Sequence, residues 1–226
     1  MTREAPPRTS RLAAAGAVAV LVFLALYFPD RDDGSGAVLG GVFAFGAVAI
    51  GLAAVAHVRP LSARTAAERL RFFGLSLLAG AVLGIGNLLA NYAIASLDVR
   101  IHDQMIEQWA AFSAWSAVFA GPLVEEIGYR LLLMGGTAWL VSRMTDNRHT
   151  AFVSALAVSA ALFGVAHILP SSRPTTGVLH AVGVALKSGA AGVALGWVFW
   201  RKGLPYSVAC HCTANAVHLL AAPLLF

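Results

Sequence analysis

The sequence predicts an all-α protein, a polytopic membrane helix bundle of about seven (six to eight) transmembrane helices. Three observations predict it. Of the 226 residues, 58% are hydrophobic and only 12% charged, with a mean hydropathy of +0.74. The apolar residues come in long runs, not in the amphipathic stripes of a soluble helix. Lysine and arginine fall mainly in the short connections between those runs, where they alternate between richer and poorer segments.

The runs lie near 11–28, 37–58, 72–97, 109–143, 150–168, 177–200 and 204–226, each close to the roughly 20 residues that a bilayer requires. The first follows Arg3, Arg8 and Arg11 and ends at Leu26-Tyr27-Phe28-Pro29, which offers no small-residue cleavage site, so it reads as an uncleaved span. The segment from Arg59 to Leu70 is basic and reads as a cytoplasmic loop, with an interfacial helix as the alternative. The fourth run is long and contains Gly121-Pro122; it is expected to divide into a short segment and a helix starting near the proline, whose missing N–H is harmless there. Three spans therefore occupy residues 1–108, and the remainder fill 109–226 of the same membrane domain. Gly80/Gly84 and Gly192/Gly196 are small-xxx-small pairs suited to close helix approach. The charge alternation places the N-terminus in the cytoplasm of what is expected to be a bacterial plasma membrane.

Composition also excludes. The net charge of +5 is spread between apolar runs without a basic patch, so the partner is the lipid bilayer and no nucleic acid is expected. Cys210 and Cys212 lie within one apolar run, imply no disulfide framework and read as core thiols.

Against this background a set of ionisable and amide side chains inside the runs stands out, because each is costly in hydrocarbon. They are Glu125, Glu126 and Arg130 on the fourth run, His167 on the fifth, and His211 with Asn215 on the last. Glu126 and Arg130 are four apart on one helix face, so the arginine can neutralise that carboxylate. Glu125, turned by about 100°, keeps a carboxylate without an obligate cation and is the candidate general base. His211 and Asn215 are also four apart, as two donors to one oxyanion would be. Measured from Arg143 and Arg148, Glu125 and His167 lie about 27 and 28 Å up their helices; His211 and Asn215 lie about 14 and 20 Å from Lys202. That spacing allows one site, in the outer half of the membrane.

Glu125, His167 and His211 could instead hold a divalent metal such as zinc, although no HExxH spacing is present. Lys187 either snorkels or pairs with a carboxylate, in a structural or a functional role. Asn87 and Asn91 read as helix glue, and His180 and His218 as interfacial residues.

Glu125-Glu126-x-x-x-Arg130, Phe163-x-x-x-His167 and His211-x-x-x-Asn215, in this order on successive runs, resemble the motifs of the CPBP family, which comprises intramembrane CAAX-prenyl proteases and bacteriocin-processing and self-immunity proteins. The resemblance covers about residues 109–220. It implies an intramembrane endopeptidase in which Glu125 and His167 activate water, His211 and Asn215 stabilise the oxyanion, and Glu126 and Arg130 support them. The family is described both as metalloprotease and as glutamate-type. The implied substrate is a membrane-associated peptide or protein, prenylated in some relatives. Two other functions compete: a non-catalytic immunity or scaffold protein, and a proton-coupled transporter, against which stands the absence of visible inverted repeats.

Overall fold

In the computed structural model of the chain, residues 65–97, 114–171 and 177–224 are described. They form five helical runs, with no strand among them. The first two predicted spans, 11–28 and 37–58, lie outside the described residues. Three helices, Ala66–Ala95, Arg148–Ile168 and Gly177–Lys202, are long and apolar enough to cross a bilayer. The protein is thus an integral membrane protein, with the count of seven resting on the sequence.

Helix α1, Ala66–Ala95, begins earlier than predicted because Thr65 and Glu68 form a capping box. The Thr65 hydroxyl accepts from the Glu68 N–H at 3.2 Å, and the Glu68 carboxylate accepts from the Thr65 N–H at 3.0 Å. Two otherwise orphaned donors are satisfied, so the end of the basic segment joins the helix. One stripe of α1, Ser76, Gly80, Gly84, Leu88 and Asn91, is buried. Its other faces expose Phe73, Leu78, Val82, Ile85 and Leu89, as expected of a helix bordering lipid.

The second run, α2, spans 116–142 in four pieces: a π-helical Ser116–Ala120, an α-helical Gly121–Glu125, a π-helical Glu126–Met134 and an α-helical Gly135–Ser142. The break expected at Gly121-Pro122 is therefore corrected: the helix passes through the buried proline. A proline inside a regular α-helix removes a hydrogen bond and its ring meets the preceding turn; the wide turn immediately before Pro122 accommodates both.

Helix α3, Arg148–Ser171, is capped by Asn147, whose Oδ1 accepts from the His149 and Thr150 N–H groups at 2.9 and 3.2 Å. Helix α4, Gly177–Lys202, ends in Arg201 and Lys202, which complement its negative dipole end. Gly203 then turns the chain with φ of +101°, a conformation open to glycine at little cost. Helix α5, Leu204–Ala221, follows with Pro205 in its first turn.

The most extensive pairings are α3 with α4 and α1 with α5. Helices α1 and α5 run parallel, and the glycine pair makes their approach possible. A Cβ on Gly84 would fall 2.6 Å from the Ala214 carbonyl oxygen, and one on Gly80 would collide with that of Cys210. Helices α3 and α4 run antiparallel, with Gly192 against Ala160 and Gly196 against Leu156. Both predicted small-residue pairs are thus close-approach sites.

The alternation of directions brings Arg69, Arg71, Arg143, Arg148, Arg201 and Lys202 to one end of the bundle. At that end Leu204 packs against the cluster containing Leu131, Met134, Ala138 and Ala155. Helix α5 therefore starts deeper than the ends of α2 and α3. This offset reconciles the unequal depths estimated along the different helices.

Candidate active site

Glu125 and Glu126 are adjacent in sequence and face different surroundings. Glu126 is fully buried, whereas the Glu125 side chain is 27% exposed. Glu126 is the centre of a polar nucleus joining three helices. Its Oε2 lies 3.5 Å from Arg130 Nε and accepts from the Ser207 hydroxyl; its Oε1 is 3.0 Å from His211 Nδ1. Arg130 donates from Nη1 to the Ser159 hydroxyl at 2.8 Å, and Ser159 donates to the Tyr129 carbonyl at 2.8 Å. Its guanidinium also lies over the Phe163 ring, 4.8 Å from the centroid. Removing charges from water costs several kcal/mol per ion unless such partners are supplied, and here α2, α3 and α5 supply them together.

Glu125 has no comparable cage. Its Oε2 is 3.7 Å from His211 Nε2 and 4.0 Å from His167 Nε2. Both separations exceed a direct hydrogen bond and match the span that one small molecule bridges. The orientations of the two imidazoles are set from behind. His167 Nδ1 is 2.7 Å from the Phe163 carbonyl oxygen, an acceptor, so Nδ1 carries the proton and Nε2 offers a lone pair to the Glu125 side. His211 Nδ1 likewise faces the Glu126 carboxylate and directs Nε2 to Glu125. Phe163 wedges between them, its centroid 4.5 Å from that of His167 and 6.0 Å from that of His211. Tyr129 meets its edge at 5.1 Å.

Glu125, His167, His211 and Phe163 line a cavity of about 350 Å³, together with Asn215, Lys187, Asn91 and His218. Asn215 Nδ2 donates to the Ala117 carbonyl oxygen at 2.8 Å, which ties α5 to the first π-helical turn of α2 and leaves one amide hydrogen and Oδ1 for other partners.

All six residues singled out in the sequence therefore meet. Glu125, His167, His211 and Asn215 lie on the cavity wall, and Glu126 with Arg130 lies behind it. Glu125, His167 and His211 are also the trio a metal would use. Among the described residues, however, no group of three His, Cys, Asp or Glu is arranged to hold a metal ion.

Sequence reasoning missed Ser159 and Ser207, both fully buried. Their signal was available: Ser207 precedes His211 by four residues, and Ser159 precedes Phe163 by four, which places each on its motif's helix face. It also gave too little weight to Lys187, Asn91 and His218. Lys187 Nζ donates to Asn91 Oδ1 at 2.8 Å, and Asn91 Nδ2 lies 3.1 Å from His218 Nε2. Asn91 does join three helices, as a glue residue should, but it does so on the cavity wall.

No curated protein and no solved structure gives a significant match to the chain. A family model does match, and its span takes in α2 to most of α5 and the six motif residues, while Asn91 and His218 of the cavity wall lie outside it. Over residues 107–217 the chain matches the model of the type II CAAX prenyl endopeptidase, Rce1-like, family.

Proposed function

We propose that the protein is an intramembrane endopeptidase that hydrolyses a peptide bond of a membrane-associated peptide or protein by glutamate- and histidine-activated water. The observation that carries this reading is the convergence of Glu125 Oε2 with the Nε2 atoms of His167 and His211, within 4.0 Å, on the wall of a polar cavity. The family match supports protease chemistry, and the geometry is compatible with the roles that the motif resemblance implies.

Water bridging Glu125 and His167 gives up a proton to the Glu125 carboxylate as its oxygen bonds to the scissile carbonyl carbon. His167 accepts a hydrogen bond at Nε2 and fixes the direction of attack. The carbonyl oxygen becomes an oxyanion, stabilised by the second Asn215 amide hydrogen and by His211 Nε2–H when the ring carries both protons. Glu125 then passes its proton to the leaving nitrogen, the C–N bond breaks, and a carboxylic acid, which ionises on release, and an amine leave the site. Glu126 and Arg130 hold His211 and the α2 backbone in place. The chemistry does not require a prenylated substrate, and the commitment is to peptide-bond hydrolysis. With the basic end in the cytoplasm of a bacterial plasma membrane, the site lies within the bilayer.

The test is hydrolysis of a diverse fluorogenic peptide library, prenylated peptides included, by the purified wild type and by Glu125→Ala, with and without a chelator. Cleavage that vanishes in the variant and survives chelation is the expected result. Loss on chelation would replace the proposed mechanism with a metal-dependent one. A folded wild type that cleaves nothing would favour a non-catalytic role.

A further inference from the structure

Lys187 lies near the middle of α4, ten residues from Gly177 and fifteen from Lys202, which is about 15 and 22 Å from the two ends. A lysine side chain reaches roughly 6 Å, so its ammonium does not snorkel to either interface; it stays at the cavity it lines. An ammonium has three donors. The Asn91 amide oxygen takes one, and among the described residues no carboxylate lies within ion-pair distance of it. A neutral oxygen is a weak complement for a cation inside a membrane, where such groups are normally paired. The pairing that is missing within the protein is available from a ligand.

We propose that Lys187, oriented by the Asn91–His218 pair, is the subsite that binds a carboxylate of the substrate peptide. Asn91 accepts from Lys187 through Oδ1 and faces His218 with Nδ2, so α1 and α5 together hold the ammonium at one place on the wall. His218 follows His211 by seven residues, about 10 Å along α5. The anchored carboxylate therefore lies in the same cavity as Glu125 but away from it. Charge supports the arrangement. Glu126 is matched by Arg130, while Glu125 and Lys187 line one cavity. Without Lys187, a substrate carboxylate would share the cavity with the Glu125 carboxylate and lack a cation of its own. Its source is a peptide's C-terminus or an acidic side chain near it.

This inference rests on the proposed peptidase reading for the identity of its ligand, but its test needs no turnover. The full chain carrying Glu125→Gln is purified in detergent and titrated with a fluorescein-labelled, N-palmitoylated octapeptide in three forms: free acid, C-terminal amide, and C-terminal amide with aspartate as its last residue. The free acid is expected to bind about tenfold or more tighter than the plain amide, as a charge-assisted hydrogen bond allows. That preference should collapse in K187M and persist in part in K187R. Tight binding of the aspartyl amide would assign the carboxylate to a side chain, and weak binding to the terminus. Equal affinity for all three forms, or a preference unchanged in a folded K187M protein, overturns the proposal. The acid-to-amide comparison requires no change at Lys187, so it decides the matter even if K187M does not fold. A peptide that binds with this preference but is never cleaved by the wild type would count against the peptidase reading alone.

Discussion

Glu125 and Glu126 share a side chain and a helix, yet one faces a cavity and the other is enclosed by Arg130, Ser207 and His211. The difference lies in what the neighbouring helices present to them. Helix α5 closes over Glu126 with Ser207 and His211, and α3 holds its partner Arg130 with Ser159 and Phe163, whereas toward Glu125 they present two imidazole Nε2 atoms at 3.7 and 4.0 Å. A carboxylate whose lone pairs are already occupied gains little by taking a proton; one without close partners can accept it. Stability and reactivity are thus separated over one peptide bond, with His211 touching both sides.

The strongest way to break this comparison is to exchange the two carboxylates for amides one at a time. Glu125→Gln should lower kcat by about 10²–10⁴, the usual contribution of a general base, with little change in Tm. Glu126→Gln should instead destabilise by about 3–5 kcal/mol, because the buried Arg130 loses its charge partner. Unfolding can be followed with a thiol-reactive dye, since Cys210 is buried in the native protein. Two variants equal in both kcat and Tm would show that the carboxylates do the same work.

Arg130 sharpens the point. Arg130→Met removes the cation, leaves Glu126 charged in an apolar interior and should cost about 3–5 kcal/mol. The double variant Glu126→Gln/Arg130→Met should be less destabilised than the sum of the single changes, with a coupling of about 1–3 kcal/mol. Additive losses would mean that Glu126 is held mainly by Ser207 and His211.

How much of this was legible before the structure depended on whether the signal was local. Helices α3, α4 and α5 follow directly from apolar runs of bilayer length, and the glycine pairs from their four-residue spacing. All six motif residues were identifiable because an ionisable group in an apolar run is costly and so has to be justified. What was not legible depends on neighbours. The passage of α2 through Pro122 requires wide turns on either side, for which composition gives no sign. Lys187, Asn91 and His218 sit on three helices, and each has an ordinary explanation alone; only packing shows that they share a wall. Ser159 and Ser207 are small polar residues of a kind common in membrane helices, so their helix-face register was the only clue.

Ser207 offers the finest test of where the boundary between the two carboxylates lies. Its hydroxyl donates to Glu126 Oε2, while the other oxygen faces His211 Nδ1. In Ser207→Ala, Glu126 keeps Arg130 and His211 but loses one donor in a site closed to solvent, which should destabilise the protein by about 1–3 kcal/mol. Because His211 remains attached to Oε1, its Nε2 should still face Glu125, and kcat should fall by less than about tenfold. A loss of kcat comparable to that of Glu125→Gln, at unchanged Tm, would mean that Ser207 sets the position of His211 and not only the stability of Glu126. The buried nucleus would then extend into the reacting site, and the division between the two carboxylates would have to be moved to the cavity side of His211.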